Sequence, residues 1–270
     1  MQPITHIKIK KISPGQLAEA DDELAVEEPL SIKLVYREGL KSIEKNIAVT
    51  MRTPGHDEEL AAGFLFTEGI LQTRQSIHHI QSLDNNAQVF MQDDAMPLLK
   101  QAERNFYATA ACGVCGKTDI DSIKMASLFN HKPDNIRIHA PVFYGLQQAL
   151  QRQQVLFEST GGLHAAALFD HEGHCMVLRE DIGRHNALDK VIGHALINNW
   201  LPLYRSILLL SGRAGFELVQ KAYMAGISVI AAVGAPSSLA VERAMECGIT
   251  LIGFLRGERF NVYSGWERIV

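Results

Sequence analysis

The chain has 270 residues, of which 47% are hydrophobic and 21% charged, so an intrinsically disordered chain and a peptide-sized scaffold are both excluded. Twenty-six Lys and Arg residues against 30 Asp and Glu give a net charge of -4, which does not favour a protein that coats nucleic acid. Four cysteines are too few for a disulfide framework, and a C-x-x-C pair among them fits a reducing compartment. We therefore expect a soluble, cytoplasmic protein with no membrane and no nucleic-acid partner.

The first part of the chain predicts two paired strands. Ile32, Leu34 and Tyr36 alternate with more polar residues and would share one face of a strand. A second strand is expected over 45–51, and the turn at Glu38-Gly39 would join the two as a hairpin.

A helix is expected after the turn at Pro54-Gly55, because acidic residues fill its first turn and its apolar residues are spaced for one face. Residues 72–105 are rich in Gln, Asn and Asp and predict short strands and loops. We place a boundary near residue 107, between a smaller N-terminal α+β domain over 1–107 and an α/β domain over 108–270.

The last third of the chain predicts strands that alternate with helices. Strands are expected over 206–211, 227–233 and 249–255, and helices over 216–225 and 237–247. The strands are uninterrupted apolar runs, which indicates a mainly parallel sheet covered by helices on both faces. Ligands of such sheets bind at the carboxyl ends of the strands.

The pair Cys112 and Cys115 is the strongest local motif, and it lies between glycines with Lys117 beside it. Two thiols at this spacing can share a metal, form a disulfide, or act as a nucleophile and its partner. A four-thiolate zinc site would also need Cys175 and Cys247, which stand in apolar strand-like or helical contexts. We therefore favour a nucleophilic use of the thiols and expect no bound metal.

A zinc deaminase is an alternative, because that class combines H-x-E with a later P-C-x-x-C. His56-Asp57-Glu58 matches the first part, but Ala111 stands where the proline belongs. Glu58 is also explained as an acidic residue in the first turn of a helix. The deaminase hypothesis is therefore weakly supported.

Two segments could bind an anion near a helix start. Arg184 and His185 belong to a run of ionisable residues directly before an apolar helix, and the alternative is a solvated turn with Asn186 as the helix cap. His164 follows Gly161 and Gly162, which permit close approach of a ligand, and the alternative is an ordinary core histidine.

Two further segments follow expected strands. Arg213 lies in the turn after a buried strand, whereas Glu217 and Lys221 are interpreted as an exposed i,i+4 pair on a helix. The run from Leu255 to Phe260 supplies two guanidinium groups, a glycine and an aromatic ring, which suit a planar phosphorylated ligand. Neither a Walker loop nor G-x-G-x-x-G occurs, so ordinary nucleotide-hydrolase and Rossmann functions are not expected.

Taken together, these segments resemble the formate dehydrogenase accessory sulfurtransferase family (FdhD/NarQ). The resemblance rests on ACGVCGK, TGGLHAAAL, REDIGRHNALDKVIG, SGRAGFELVQKA and GFLRGERFNVY, and on MRTPGHDEELAAGFLFTEGI nearer the N-terminus. The blocks are spread along the chain, so the resemblance extends over nearly its whole length. One departure is that Ala110 and Ala111 precede the first cysteine, where the family often has small hydroxyl residues.

The resemblance implies a cytidine-deaminase-like three-layer α/β fold and a homodimer. It also implies that a cysteine desulfurase passes sulfur to Cys112 as a persulfide, with Cys115 as its partner. The sulfur would then be delivered to a molybdenum bis(molybdopterin guanine dinucleotide) cofactor destined for formate dehydrogenase. That cofactor would be a bound substrate rather than a permanent group, and guanine nucleotides could occupy its site.

The residues expected to bind this cofactor are Phe254, Leu255, Arg256, Gly257, Glu258, Arg259 and Phe260, with Arg184, His185 and Arg213 assisting at the same end of the sheet. The competing hypothesis is a non-enzymatic chaperone that binds the molybdenum cofactor and uses its two thiols only as a redox latch or a contact.

Overall fold

The computed structural model describes residues 2–99, 125–129 and 136–270. Cys112, Cys115 and the expected boundary near residue 107 lie outside these ranges. The strands are β1 (Ile4–Ser13), β2 (Gln16–Ala25), β3 (Glu28–Glu38), β4 (Lys41–Arg52), β5 (Ile77–Leu83), β6 (Asn86–Met91), β7 (His164–Phe169), β8 (Cys175–Asp181), β9 (Ile207–Leu210), β10 (Val229–Ala232), β11 (Thr250–Arg256) and β12 (Arg259–Ser264). The helices are α1 (Asp57–Thr67), α2 (Ala140–Gln151), α3 (Val155–Thr160), α4 (Arg184–Ile197), α5 (Phe216–Met224) and α6 (Ser238–Glu246). None of the helices in the described ranges is long and apolar enough to cross a membrane.

β1 and β2 form a two-stranded antiparallel ribbon that the sequence analysis did not predict. Its register sets Lys8 opposite Asp21 and Lys10 opposite Glu19. Opposite charges that face each other across two strands stabilise the pairing, so the basic start of the chain and the following acidic stretch complement each other.

The predicted hairpin near the N-terminus is confirmed as β3 and β4, the first members of a sheet with the order β4-β3-β6-β5. Ile32 and Leu34 are fully buried, and Tyr36 packs against the same core. The predicted helix is confirmed as α1, with three acidic residues in its first turn. β5 and β6 supply the short strands expected after it.

The second sheet has six strands in the order β12-β11-β10-β9-β7-β8. The predicted parallel arrangement of β9, β10 and β11 is confirmed. The prediction of a mainly parallel sheet is wrong, because β7, β8 and β12 pair antiparallel and the sheet is mixed. Short turns join β7 to β8 and β11 to β12, and a turn of a few residues forces antiparallel pairing.

The six-stranded sheet is covered on both faces, as its apolar strands predict. Alternate residues such as Leu208 and Leu210 belong to one core with α4, α5 and α6. Ile207 and Leu209 point the other way and belong to a second core with Phe143 of α2. Helix, sheet and helix therefore form three layers, which is a mixed α/β architecture, and the likeness to cytidine deaminases stays a prediction.

Helices α1 and α4 bring the two sheets together through two glycines. A Cβ atom on Gly63 would lie 1.9 Å from the carbonyl oxygen of Asp189, and one on Gly193 would lie 1.8 Å from that of Glu59. The two helix backbones therefore touch, and no residue with a side chain fits at the crossing. The same hydrophobic core runs from the four-stranded sheet through this crossing to the six-stranded sheet.

Candidate functional site

One edge of the six-stranded sheet collects most of the predicted site residues. Arg213 follows β9, and Arg256 ends β11, so both lie at carboxyl ends of parallel strands. Because β7 runs antiparallel to β9, His164 at its beginning reaches the same edge, and the pairing of His164 with Asp181 brings the end of β8 there as well. Arg184 begins α4 directly after β8.

The loops at this edge are joined by backbone hydrogen bonds. The N–H of Gly234 donates to the carbonyl of Gly212 at 3.0 Å, and the N–H of Phe254 donates to the carbonyl of Gly234 at 3.1 Å. A Cβ atom on Gly234 would lie 2.9 Å from the Gly212 oxygen, so only glycine fits between these loops. The loops after β9 and β10 and the last residues of β11 are therefore held side by side as one surface.

Phe254 stands at this surface in an unusual backbone conformation. Its φ is +54°, in the left-handed region that phenylalanine rarely adopts, and its side chain is exposed. The pairing of β11 with β12 shifts register between Gly253 and Arg256, which is the signature of a bulge. The bulge turns an aromatic ring outward at the edge, and strained backbone of this kind is concentrated at functional sites.

The hairpin that follows carries the remaining predicted binding residues. Arg256 and Arg259 face each other across the turn, and an open depression of about 260 Å³ is lined by Phe254, Arg256, Arg259, Phe260 and Asn261. Gly257 has a φ of +56°, which the turn requires, and Glu258 is exposed beside it. Leu255 is fully buried in the second core, so its side chain packs the hairpin down and offers no surface to a ligand.

His164 and His185 lie at the opposite end of this edge, beside Arg184. Burial, assisted by the positive charges of Arg184 and His185, lowers the pKa of His164, and Asp181 opposes the shift. The folded protein therefore favours the neutral form of His164. His185 is held by Glu217, whose carboxylate lies 2.5 Å from Nε2 of the ring.

The interpretation of Glu217 and Lys221 as an exposed pair is wrong. Glu217 binds His185, and Lys221 is buried with its ammonium 2.8 Å from the carboxylate of Asp189 and 2.8 Å from Thr67 Oγ1. A buried ammonium needs such partners, and they come from parts of the chain remote in sequence.

The alternative of a solvated turn at the start of α4 is also wrong. Asp181 is fully buried and accepts hydrogen bonds from the N–H groups of Thr53 and Gly183, while Lys190 pairs with it at 2.6 Å. Asn186 is not the helix cap, since Gly183 takes that place and Asn186 donates to the carbonyl of Met51 at 2.7 Å. This buried network fixes the turn that presents Arg184 and His185.

The sequence analysis did not identify Lys190 as part of this network. A lysine within the mainly apolar helix sequence ALDKVIGHAL is a signal that its ammonium group has a buried partner.

Four guanidinium groups at this edge have no carboxylate partner among the described residues. Those groups belong to Arg184, Arg213, Arg256 and Arg259. They extend from the end of β8 to the end of β11, which are four strand spacings apart, or about 19 Å. The arrangement suits an extended ligand with several negative charges.

The described residues give little support to a zinc deaminase or to a four-thiolate zinc site. Asp57 is buried and pairs with Arg52 through two hydrogen bonds of 2.9 Å, and Glu58 is exposed in the first turn of α1, as that interpretation predicts. Cys175 packs against the second core and Cys247 against the first, so they lie on opposite faces of the sheet and cannot share one ion. Within the described ranges, the one cluster with metal-ligand spacing is Asp170, Glu172 and His174, in the turn between β7 and β8.

Comparison with known proteins decides the family. The model of the FdhD/NarQ family matches residues 25–270. The chain belongs to the FdhD/NarQ family. The match begins where the β1–β2 ribbon ends, so it takes in both larger sheets and the whole cationic edge.

Curated relatives of this FdhD/NarQ protein carry the name sulfur carrier protein FdhD. The one from Mycolicibacterium paratuberculosis is 44% identical over 280 residues and covers 100% of both chains. The one from Thermoplasma volcanium is also 44% identical and covers 98% of this chain and 96% of its own. A crystal structure of a protein described as a formate dehydrogenase accessory protein from Desulfotalea psychrophila superposes with a TM-score of 0.77 at 26% identity, covering 100% of both chains.

Proposed function

We propose that this protein carries sulfur as a persulfide on Cys112 and delivers it to a molybdenum bis(molybdopterin guanine dinucleotide) cofactor needed by formate dehydrogenase. The name sulfur carrier protein, borne by full-length relatives at 44% identity, supports the sulfur step. The observation that carries the cofactor step is the row of four guanidinium groups along one sheet edge. A cysteine desulfurase supplies the sulfur, the protein works as a homodimer, and the reaction takes place in the cytoplasm.

The cationic edge suits the nucleotide ends of that substrate. Arg256 and Arg259 bind phosphates, since guanidinium groups form paired hydrogen bonds with phosphate oxygens. The exposed ring of Phe254 and the half-exposed ring of Phe260 offer flat surfaces to guanine. Arg184 and Arg213 lie farther along the edge, where a second group of phosphates of an extended dinucleotide would reach.

The two cysteines can transfer sulfur by thiol–disulfide exchange alone. The Cys112 thiolate attacks the outer sulfur of the donor persulfide, forms its own persulfide and releases the donor thiolate. Cys115 then attacks the inner sulfur, so a Cys112–Cys115 disulfide forms and the outer sulfur leaves as hydrosulfide toward the bound cofactor. A cellular thiol reductant returns both cysteines to the reduced state.

The second candidate, a chaperone that only binds the cofactor, is favoured by the same cationic edge, because none of the described residues at that edge carries a thiol. Formate dehydrogenase activity separates the two functions in cells that lack the protein and receive single-cysteine variants. We expect Cys112→Ala to abolish activation and Cys115→Ala to reduce it strongly. Cys247→Ala is the matched control, because Cys247 follows the end of α6 that lies away from the site, and it should support full activity. Full activity of both Cys112→Ala and Cys115→Ala would establish the chaperone instead.

A further inference from the structure

A second depression, larger than the one at the β11–β12 hairpin, lies at one end of the four-stranded sheet. Its volume is about 380 Å³, against about 260 Å³ for the depression at the hairpin. The residues that line it are Val35, Tyr36, Arg37, Ser42, His78, Phe90, Met91, Gln92 and Asp93. We call it the β3–β6 depression, because it opens where these two parallel strands reach their carboxyl ends. Its size and its place both suit a small organic ligand.

The β3–β6 depression is separate from the cationic edge. Arg52 pairs with Glu28 at the start of β3, and Thr53 donates its N–H to Asp181 at the cationic edge, so the start of β3 lies beside that edge. Tyr36 follows Glu28 by eight residues along the same strand, which is about 26 Å at the rise of a β-strand. A small ligand in the depression therefore does not reach the cationic edge.

The ring of Phe90 forms a flat wall of the depression. Side chains of a strand alternate between its two faces, and Ile32 and Leu34 are buried in the core, so Val35 lies on the outer face of the sheet. Val35 pairs with Phe90 in parallel register, which places the two side chains next to each other. His79 stacks on one side of the Phe90 ring, with centroids 4.2 Å apart and planes inclined by 10°. Because Val35 lines the depression and His79 does not, the other side of the Phe90 ring faces the depression, where a flat aromatic ligand can stack.

Arg37 brings a guanidinium group to the rim of the depression. It follows Val35 by two residues, so it lies on the same face of β3, and its partner across to β4 is Ser42. Its ion pair with Asp93 is 3.1 Å long, but 56% and 75% of the two side chains are exposed. An exposed ion pair is screened by water and contributes little free energy. An anionic ligand can therefore displace Asp93 and bind the guanidinium group.

A β-bulge places an imidazole at the same depression. Ile77 pairs with Met91. His79 pairs with Phe90, so His78 between the two pairs is the extra residue of the bulge. Bulges redirect side chains and are common beside functional sites. His78 is exposed and lines the depression, where its ring can donate a hydrogen bond to an anion.

We propose that the β3–β6 depression is a second binding site, which takes a small planar aromatic anion. The ring of the ligand stacks on Phe90 above Val35, and its anionic group binds Arg37, with Ser42 and His78 as further donors. The site goes beyond the proposed function and does not depend on it, because none of its residues belongs to the cationic edge.

The test uses two fluorescent probes on the full chain. The first is 2-naphthoate, a planar aromatic anion, and the second is 2-naphthamide, which has the same ring system without the charge. We expect 2-naphthoate to bind and 2-naphthamide to bind about three- to tenfold more weakly, since a hydrogen bond to a charged group is lost. Fluorescence titration gives both affinities.

Two variants test the two parts of the site. Phe90→Leu keeps an apolar side chain but removes the flat ring, and it should weaken 2-naphthoate binding about two- to tenfold. Arg37→Gln should weaken 2-naphthoate binding about three- to tenfold and leave 2-naphthamide binding unchanged. Lys33→Gln is the matched control, because it removes a cation from the same face of β3 at a position that does not line the depression. It should bind both probes as the wild type does.

Arg259→Ala locates the probe, since 2-naphthoate bound at the hairpin would lose affinity in that variant. We expect this variant to bind 2-naphthoate as tightly as the wild type. The proposed site is overturned if the wild type does not bind 2-naphthoate, if the two probes bind equally well, or if Arg259→Ala weakens binding. Wild-type affinity of both Phe90→Leu and Arg37→Gln would overturn it as well. Arg37 is exposed, so Arg37→Gln still tests the site if Phe90→Leu fails to fold.

Discussion

Alanine in place of Gly63 should destabilise the fold, because it forces apart the two helices that hold the sheets together. The new Cβ atom would lie 1.9 Å from the carbonyl oxygen of Asp189, whereas real Cβ contacts essentially never fall below 3.0 Å. The α1 and α4 backbones must therefore separate by about 1 Å or more, and both belong to a close-packed core. Alanine recovers up to about 1 kcal/mol through its better helix propensity. Overpacking that moves backbone typically costs about 1–3 kcal/mol, and an overlap this severe belongs at the upper end of that range, so we expect a net loss of about 2 kcal/mol.

The assay is urea unfolding followed by far-ultraviolet circular dichroism, with Gly145→Ala as the matched control. Gly145 is exposed in α2, and a Cβ atom there meets nothing within 4 Å. The same substitution should therefore stabilise the protein at that position by about 0.5–1 kcal/mol. The two variants should shift the unfolding midpoint in opposite directions. A Gly63→Ala chain as stable as Gly145→Ala would refute the close contact of α1 and α4.

Two further predictions concern the site. Arg256→Ala and Arg259→Ala should each weaken GDP binding about tenfold or more in calorimetry, since a guanidinium bond to phosphate contributes about 1.5–3 kcal/mol. Unchanged affinity in both arginine variants would show that the hairpin does not bind the nucleotide. Burial is the main cause that lowers the pKa of His164 in the folded protein. The unfolded chain therefore binds a proton on this histidine at a higher pH than the folded chain does. As a result, the free energy of unfolding falls as the pH drops through about 6.5. His164→Gln should therefore flatten the fall of the urea midpoint between about pH 7.5 and 5.5, and an unchanged slope would contradict the assignment.

The parallel part of the fold could be predicted from the sequence because its signal is local. Runs such as SILLLS and the helices after them carry their own periodicity, so β9, α5, β10, α6 and β11 lie where that pattern places them. The antiparallel pairing of β7 and β8 could not be predicted in the same way, because the direction in which two strands pair depends on the connection between them. The ribbon of β1 and β2 was missed because its stabilising charges face each other across two strands.

The candidate site was only partly predictable for a related reason. Exposed cations after buried strands, such as Arg213, have no packing function and can be recognised from the sequence alone. The partners of buried charges cannot be recognised in this way, because they lie far apart in sequence. Lys221 pairs with Asp189 on another helix, and Asp181 pairs with Lys190 and accepts a hydrogen bond from the backbone of Thr53. A spacing of i,i+4 suggested a surface pair for Lys221, and tertiary packing decided otherwise.

The most direct test of the account is the intact mass of the protein after incubation with a cysteine desulfurase and cysteine. Wild type, Cys112→Ala, Cys115→Ala and Cys247→Ala are compared in parallel, each before and after reductant. We expect wild type and Cys247→Ala each to gain the mass of one sulfur, which reductant removes, and Cys112→Ala to gain none. A wild-type chain that gains no sulfur, or a Cys112→Ala chain that gains as much as wild type, would contradict it.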